Sequence, residues 1–205
     1  MPFRILCVCT GNICRSPTAE RLLRHQFDLL LGEDAAAFEV TSAGTGALVG
    51  EPIQAHAAAL LGAAGVDTSQ FSARMLAEDE LKSADLVLAM TRRHRAVAAT
   101  LVPAVLPRLF TLREFARLAS AAAQGLPVRQ PVVDWARALV PAAAAKRGLV
   151  RAERAEDDDI VDPYGGPASG YREPFELIAV ATDSIARALV LPGARAGSPR
   201  PDHTV

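Results

Sequence analysis

The sequence has little of what a covalently or metal-crosslinked scaffold needs. Only three of its 205 residues are cysteine, Cys7, Cys9 and Cys14, and all three fall at the N-terminal end. An odd, clustered set of this kind cannot build a disulfide framework, and it suits a reducing compartment. The four histidines, His25, His56, His94 and His203, stand at no metal-binding spacing, so neither a metal nor another cofactor is expected. A dominant charge is also missing. With 22 basic and 23 acidic residues the net charge is −1, too weak a field to gather nucleic acid or an anionic bilayer. No apolar run approaches the ~20 residues of a bilayer-spanning helix, and the apolar stretch that starts the chain is too short for a signal peptide. The expectation is a cytoplasmic protein with no nucleic-acid or membrane partner.

What the chain does have is a 50% hydrophobic composition, enough for one well-buried core and too little length for two. Its chemistry gathers in Cys9-Thr10-Gly11-Asn12-Ile13-Cys14-Arg15-Ser16-Pro17, between the apolar run Phe3–Cys9 and an amphipathic segment with Leu22, Leu23 and Phe27 on one face. A loop that leads from a strand into a helix N-terminus aims several backbone N–H groups at one point, where an oxyanion is welcome. A cysteine at the strand end of such a loop feels the same field, which favours thiolate. Cys9 is therefore a candidate nucleophile. Arg15 carries a planar fork that can hold two phosphate oxygens at once. Gly11 and Asn12 are residue types that tolerate the positive φ a tight cradle needs.

This string closely resembles the signature of the low-molecular-weight protein tyrosine phosphatases, and the resemblance recurs along most of the chain. It implies that Thr10, Gly11, Asn12, Ile13, Cys14 and Ser16 bind the substrate phosphate and its ring, and that Ser42 bonds into the loop as a supporting residue. Ile160-Val161-Asp162-Pro163-Tyr164 resembles the family's Asp-Pro-Tyr loop, in which the aspartate is general acid and the tyrosine lines the pocket. Gly46-Ala47-Leu48-Val49-Gly50 resembles the bacterial branch associated with exopolysaccharide-assembly kinases, with Leu48 as an aliphatic wall where animal members place an aromatic one. Phe71 stands where the family commonly has a histidine, so one supporting hydrogen bond is lost. The family also pairs the cysteines that match Cys9 and Cys14, which makes Cys14 the expected redox partner of the nucleophile.

Apolar runs bounded by turns suggest strands over Phe3–Cys9, Phe38–Thr41, Ala84–Met90 and Val105–Phe110. Helices are expected to open at Pro17, to cover Pro52–Ala64, to follow a Thr91 cap, and to close the chain with Phe175, Ile178, Thr182, Ile185 and Leu189 inward. The fold class is thus α/β, a four-stranded parallel sheet with helices on both faces and the phosphate-binding loop after the first strand, with Cys9 at the carboxyl edge of the strands. Residues 1–192 form one domain, and the Pro-, Gly- and Arg-rich residues 193–205 read as a flexible tail. Residues 111–159 form an insertion relative to the family. It opens on a Thr111–Glu114 capping box, continues with a short helix around Trp135 that Pro141 should terminate, and reads largely as solvated loop.

The functional expectation is a phosphotyrosine protein phosphatase in which Cys9 attacks, Arg15 stabilises and Asp162 supplies the proton. Its partner is a phosphotyrosine-bearing protein, such as a bacterial tyrosine kinase, and it acts as a monomer or weak dimer. Three other readings share the scaffold. Arsenate reduction needs redox cysteines beyond the loop, and none follows Cys14. Phosphoarginine hydrolysis goes with threonine at the position of Ile13. A phosphoprotein-binding module would not need Cys9, Arg15 and Asp162 together.

Overall fold

The computed structural model describes residues 1–127 and 131–190, so the tail expected over residues 193–205 lies outside the described residues. Four strands, β1 (Phe3–Cys9), β2 (Phe38–Gly44), β3 (Leu86–Ala89) and β4 (Leu109–Thr111), form one parallel sheet in the order β2-β1-β3-β4. Alternation along β1 sends Phe3, Ile5, Cys7 and Cys9 to one apolar layer and Leu6 and Val8 to the other. Burial on both faces explains why these strands read as continuous apolar runs.

The first layer is covered by α1 (Arg15–Leu31), α5 (Leu112–Ala123), α6 (Val132–Ala145) and α7 (Arg172–Val190), and α2 (Ala55–Ala63) packs against α1 and α7. The second is covered by α3 (Glu78–Ser83) and α4 (Arg92–Leu101). Central β1 pairs with β2 on one side, Cys9 opposite Gly44, and with β3 on the other, Val8 opposite Ala89. The chain order reverses at β1, and ligands of such sheets bind outside the carboxyl ends of the strands at that reversal. Cys9 is the last residue of β1.

Several boundaries differ from those read in the sequence. The strand expected over Val105–Phe110 is a 3-10 turn over Pro103–Arg108 followed by the three-residue β4. Pro103 and Pro107 cannot donate to a ladder, so pairing begins only after them. Helix α1 begins at Arg15 rather than at Pro17, which sits in the first turn where its missing N–H costs nothing. Helix α2 is shorter than Pro52–Ala64, because the Gln54 side chain caps it by accepting from His56 N–H at 2.7 Å.

The largest correction concerns residues 111–159, which are not mainly solvated loop. Pro141 does not end α6, which runs on to Ala145. Pro141 faces solvent, where water can satisfy the carbonyl it leaves unbonded, while Trp135, Ala136, Leu139, Val140 and Ala143 are buried on the opposite face. Trp135 is 0% exposed and donates through Nε1 to the Ala188 carbonyl at 2.8 Å, one of the acceptors that the end of α7 leaves without an intrahelical donor. Arg147 lies 4.0 Å over the Phe110 ring and bonds the buried Glu114 at 2.9 Å. Helices α5 and α6, with Arg147, therefore extend the core beside β4 and α7.

Truncating Trp135 tests this directly. Trp135→Ala should lower unfolding stability by about 3–5 kcal/mol, and Trp135→Phe by about 1–3 kcal/mol through the orphaned Ala188 carbonyl, both read from urea midpoints. A loss below about 0.5 kcal/mol for Trp135→Ala would make the segment ornamental after all.

Candidate active site

The loop after β1 is shaped from outside. The carbonyls of Cys9, Thr10, Gly11 and Ile13 accept from the N–H groups of Thr45, Gly46, Leu48 and Gln54 at 2.9, 3.1, 3.0 and 2.8 Å. A trans peptide points its N–H opposite to its C=O, so four engaged carbonyls turn the N–H groups of Thr10, Gly11, Asn12 and Cys14 toward the inside of the loop. The Asn12 N–H meets Cys9 Sγ at 3.3 Å. The glycine that this stitching requires is Gly44, where a Cβ would come within 2.3 Å of the Thr10 carbonyl. Gly11 has neither a positive φ nor a crowded Cβ position, so only Asn12 fulfils the expected left-handed backbone, at φ 53°. Helix α1 then starts with no side-chain cap and no acidic residue in its first turn, which leaves its N-terminal amides and dipole for an anion.

Asn12 is wholly buried and its amide is fully used. Nδ2 donates to Ser16 Oγ at 2.9 Å and to Ser42 Oγ at 2.8 Å, and Oδ1 accepts from Arg74 N–H at 2.9 Å. Because Ser16 Oγ receives the Asn12 proton, its own hydrogen is free for Cys9 Sγ, 2.9 Å away. Ser42 passes its hydrogen to Glu20 Oε2 at 2.6 Å, and Glu20, buried on α1, is neutralised by Arg24 at 3.0 Å. Ser42 thus supports the loop as expected, through a carboxylate that the sequence did not single out. Phe71 packs on the core beneath the Arg21 guanidinium.

Arg15 is buried, with Nη1 donating to the Ile160 carbonyl at 3.0 Å and Nη2 paired with Asp162. Its Nε has no partner among the described residues. Asp162 is half exposed and accepts from Tyr164 N–H at 3.2 Å, a local turn that fixes the loop. That loop is held at its base. Ile160 N–H bonds the Met90 carbonyl at 2.9 Å, the Asp159 carboxylate takes Arg92 N–H at 2.7 Å, and Asp158 pairs with Arg117 at 2.7 Å. The acidic run read as solvated loop is therefore an anchor. The structure brings Cys9, Thr10, Gly11, Ile13, Cys14, Arg15, Leu48, Asp162 and Tyr164 to one cavity of about 170 Å³. Of the site residues expected from the sequence, Asn12, Ser16 and Ser42 lie behind the loop and hold it.

Two further groups touch this site. His94, on the first turn of α4, is 4% exposed and lies 2.8 Å from Thr10 Oγ1 through Nε2 and 2.8 Å from Thr91 Oγ1 through Nδ1. Burial, helped by Arg15, pushes its pKa down to about 4, so it is neutral near pH 7. A helical periodicity alone gave no signal for it. Tyr171 is buried beside Cys14, and burial pushes both the Cys14 thiol and the Tyr171 hydroxyl up to about 12. Among the described residues no cluster of three or more His, Cys, Asp or Glu side chains could hold a metal ion.

A family model for low molecular weight phosphotyrosine protein phosphatase matches residues 4–133, more than half of the chain. The chain belongs to that family. It is similar to a protein-arginine-phosphatase of Geobacillus stearothermophilus, 29% identical over 92% of this chain and 97% of that protein. It is also similar to Wzb of Salmonella typhi, a low molecular weight protein-tyrosine-phosphatase, at 39% identity over 49% of this chain and 62% of Wzb. Among solved structures, a low molecular weight protein tyrosine phosphatase from T. tengcongensis superposes with a TM-score of 0.62 at 31% identity, covering 89% of this chain and 96% of that one. The family match stops at residue 133, so α6 lies almost wholly beyond it.

The buried His94 gives this family member a pH-dependent stability. Its folded pKa of about 4 lies below the ordinary 6.5, so the unfolded chain takes up a proton that the folded chain excludes. The neutral site's stabilisation is complete above pH 6.5 and is lost as pH falls toward 4, to the extent of about 3 kcal/mol. Urea unfolding from pH 7 to 4 should show a steeper loss in wild type than in His94→Gln; parallel curves would mean that His94 titrates normally.

Proposed function

We propose that this protein hydrolyses phosphotyrosine in proteins through a phosphocysteine on Cys9. Cys9 Sγ attacks phosphorus in line with the leaving phenolate, and the S–P bond forms as the P–O bond breaks. Arg15 and the inward amides hold the equatorial oxygens, where negative charge is concentrated in the transition state. Asp162, at the mouth of the cavity, gives its proton to the phenolate and then takes one from the water that releases inorganic phosphate. The proposed partners are phosphotyrosine-bearing proteins, a bacterial tyrosine kinase among them, met in the cytoplasm by a monomer or weak dimer.

The observation that carries the choice of substrate is the cavity wall. Ile13, Leu48 and Tyr164 line it together with Cys9, apolar surface suited to a phenyl ring. Phosphoarginine is the second reading, favoured by the nearly full-length similarity to a protein-arginine-phosphatase. Its guanidinium is cationic and rich in N–H donors, and Ile13 offers it no acceptor. In the same proposal Cys14 protects the nucleophile. Peroxide converts the Cys9 thiolate to a sulfenic acid, and the Cys14 thiol displaces water from it to form a disulfide that a thiol reductant reopens. Cys14→Ser should then recover less activity than wild type after mild peroxide and dithiothreitol; equal recovery would remove this role.

Substrate choice is tested with matched peptides carrying phosphotyrosine or phosphoarginine. Phosphotyrosine should give the higher kcat/KM, and Ile13→Thr should narrow the ratio; a wild-type preference for phosphoarginine would reverse the assignment. Asp162→Ala should cost on the order of 10²–10⁴ in rate on aryl phosphates with poor leaving groups and far less on those with good ones. A uniform loss across such a series would move the acid elsewhere.

A further inference from the structure

His94 is a buried imidazole that the chemistry above does not use, yet both of its ring nitrogens are engaged and one of them reaches the residue next to the nucleophile. Thr91 Oγ1 caps α4 by accepting the His94 backbone N–H at 3.3 Å. That cap leaves the hydroxyl hydrogen available for Nδ1, 2.8 Å away, and we take this direction for the link. A neutral ring carries one hydrogen, which then sits on Nε2 and points at Thr10 Oγ1 at 2.8 Å. The Thr10 oxygen is thus an acceptor toward His94, and its own hydrogen is free. Thr10 lines the same cavity as Cys9, Arg15 and Asp162. The opposite tautomer would spend the Thr10 hydrogen on the ring and turn oxygen lone pairs toward an anion, which repels it.

We propose that His94 is a positioning residue that fixes Thr10 Oγ1 as an acceptor, so that the Thr10 hydroxyl donates to an oxygen of the bound phosphoryl group. The chain of donors runs from Thr91 through the neutral imidazole to Thr10 and on to the anion, each oxygen giving one hydrogen onward. A neutral His94 is essential to this order, because an imidazolium would also donate from Nδ1 and reverse the first link. The inference rests on the phosphatase reading for the identity of the anion, and on the Thr91 and Thr10 contacts of the imidazole for the order of the donors.

The test combines Thr10→Val, His94→Leu and their double variant with the rescuing Thr10→Ser and His94→Gln, the glutamine amide standing where Nε2–H does. Two quantities are read at pH 7, the Kd of inorganic phosphate by calorimetry and kcat and KM for p-nitrophenyl phosphate. Thr10→Val and His94→Leu should each weaken phosphate on the order of tenfold, as expected for a lost hydrogen bond to a charged group, and lower kcat/KM in proportion. The double variant should be no worse than either single one by more than about twofold, since both break one chain. Thr10→Ser and His94→Gln should regain affinity to within about threefold of wild type. Unchanged phosphate affinity in Thr10→Val would overturn the proposal, as would multiplied losses in the double variant or a His94→Gln as impaired as His94→Leu. Should His94→Leu fail to fold, Thr10→Val against Thr10→Ser and His94→Gln still decides. A wild type that binds phosphate without turning over the aryl ester would sink the phosphatase reading while the phosphate Kd values still judge the role of His94.

Discussion

Asn12 holds a left-handed backbone, φ 53°, at the apex of the loop, a conformation that disfavours most side chains by roughly 1–2 kcal/mol and that asparagine tolerates best after glycine. Three hydrogen bonds to its amide repay that cost, and each leads to a different part of the molecule: Ser16 at the head of α1, Ser42 in β2, and Arg74 in the segment beyond Gly50. The position of the Cys9 sulfur follows from it. The Ser16 hydrogen is directed to the sulfur because Asn12 fills the Ser16 oxygen, and the Asn12 N–H reaches the sulfur because the turn at Asn12 brings it round. Around this point the 45–54 segment takes the outward carbonyls, so the inward amides need no side chain to aim them.

A second set of contacts governs Asp162. Asp162 lies far from Cys9 in sequence. Its placement depends on backbone pairing of Ile160 with Met90 at the end of β3, and on two carboxylates, Asp158 and Asp159, docked on Arg117 and Arg92. Arg15 completes the arrangement by bonding both the Ile160 carbonyl and Asp162, so the guanidinium and the carboxylate are set by the same contacts. Arg92, with its partly exposed ion pair, contributes modest energy. Its value is in direction, since it fixes where the loop starts.

The parts of this design that are local in the chain were legible in the sequence. Strand, loop and helix follow one another around Cys9, and the apolar periods of β1 and α7 and the Thr111–Glu114 capping box carry their geometry within a few residues. What was misread depends on long-range burial. Pro141 is a helix breaker by local rule, but Trp135 and Leu139 bury enough apolar surface on one face to carry α6 past it. Glu20 and His94 carry no local signal of their role, and only tertiary packing shows each of them buried with partners at the loop and its support. The acidic run at 156–159 looked solvated because the arginine partners of Asp158 and Asp159 are 41 and 67 residues away.

The central claim is that Cys9 forms a covalent phosphoenzyme in this loop. Rapid quenching in acid within one turnover on an aryl phosphate, followed by mass spectrometry of the N-terminal peptide, reads that bond directly. The account predicts a phosphoryl group on Cys9 and none on Cys7 or Cys14, with its amount raised in Asp162→Asn on an activated ester, where hydrolysis of the intermediate is slowed more than its formation. A chain that turns over the ester with its single-turnover peptides unmodified at Cys9 would contradict it.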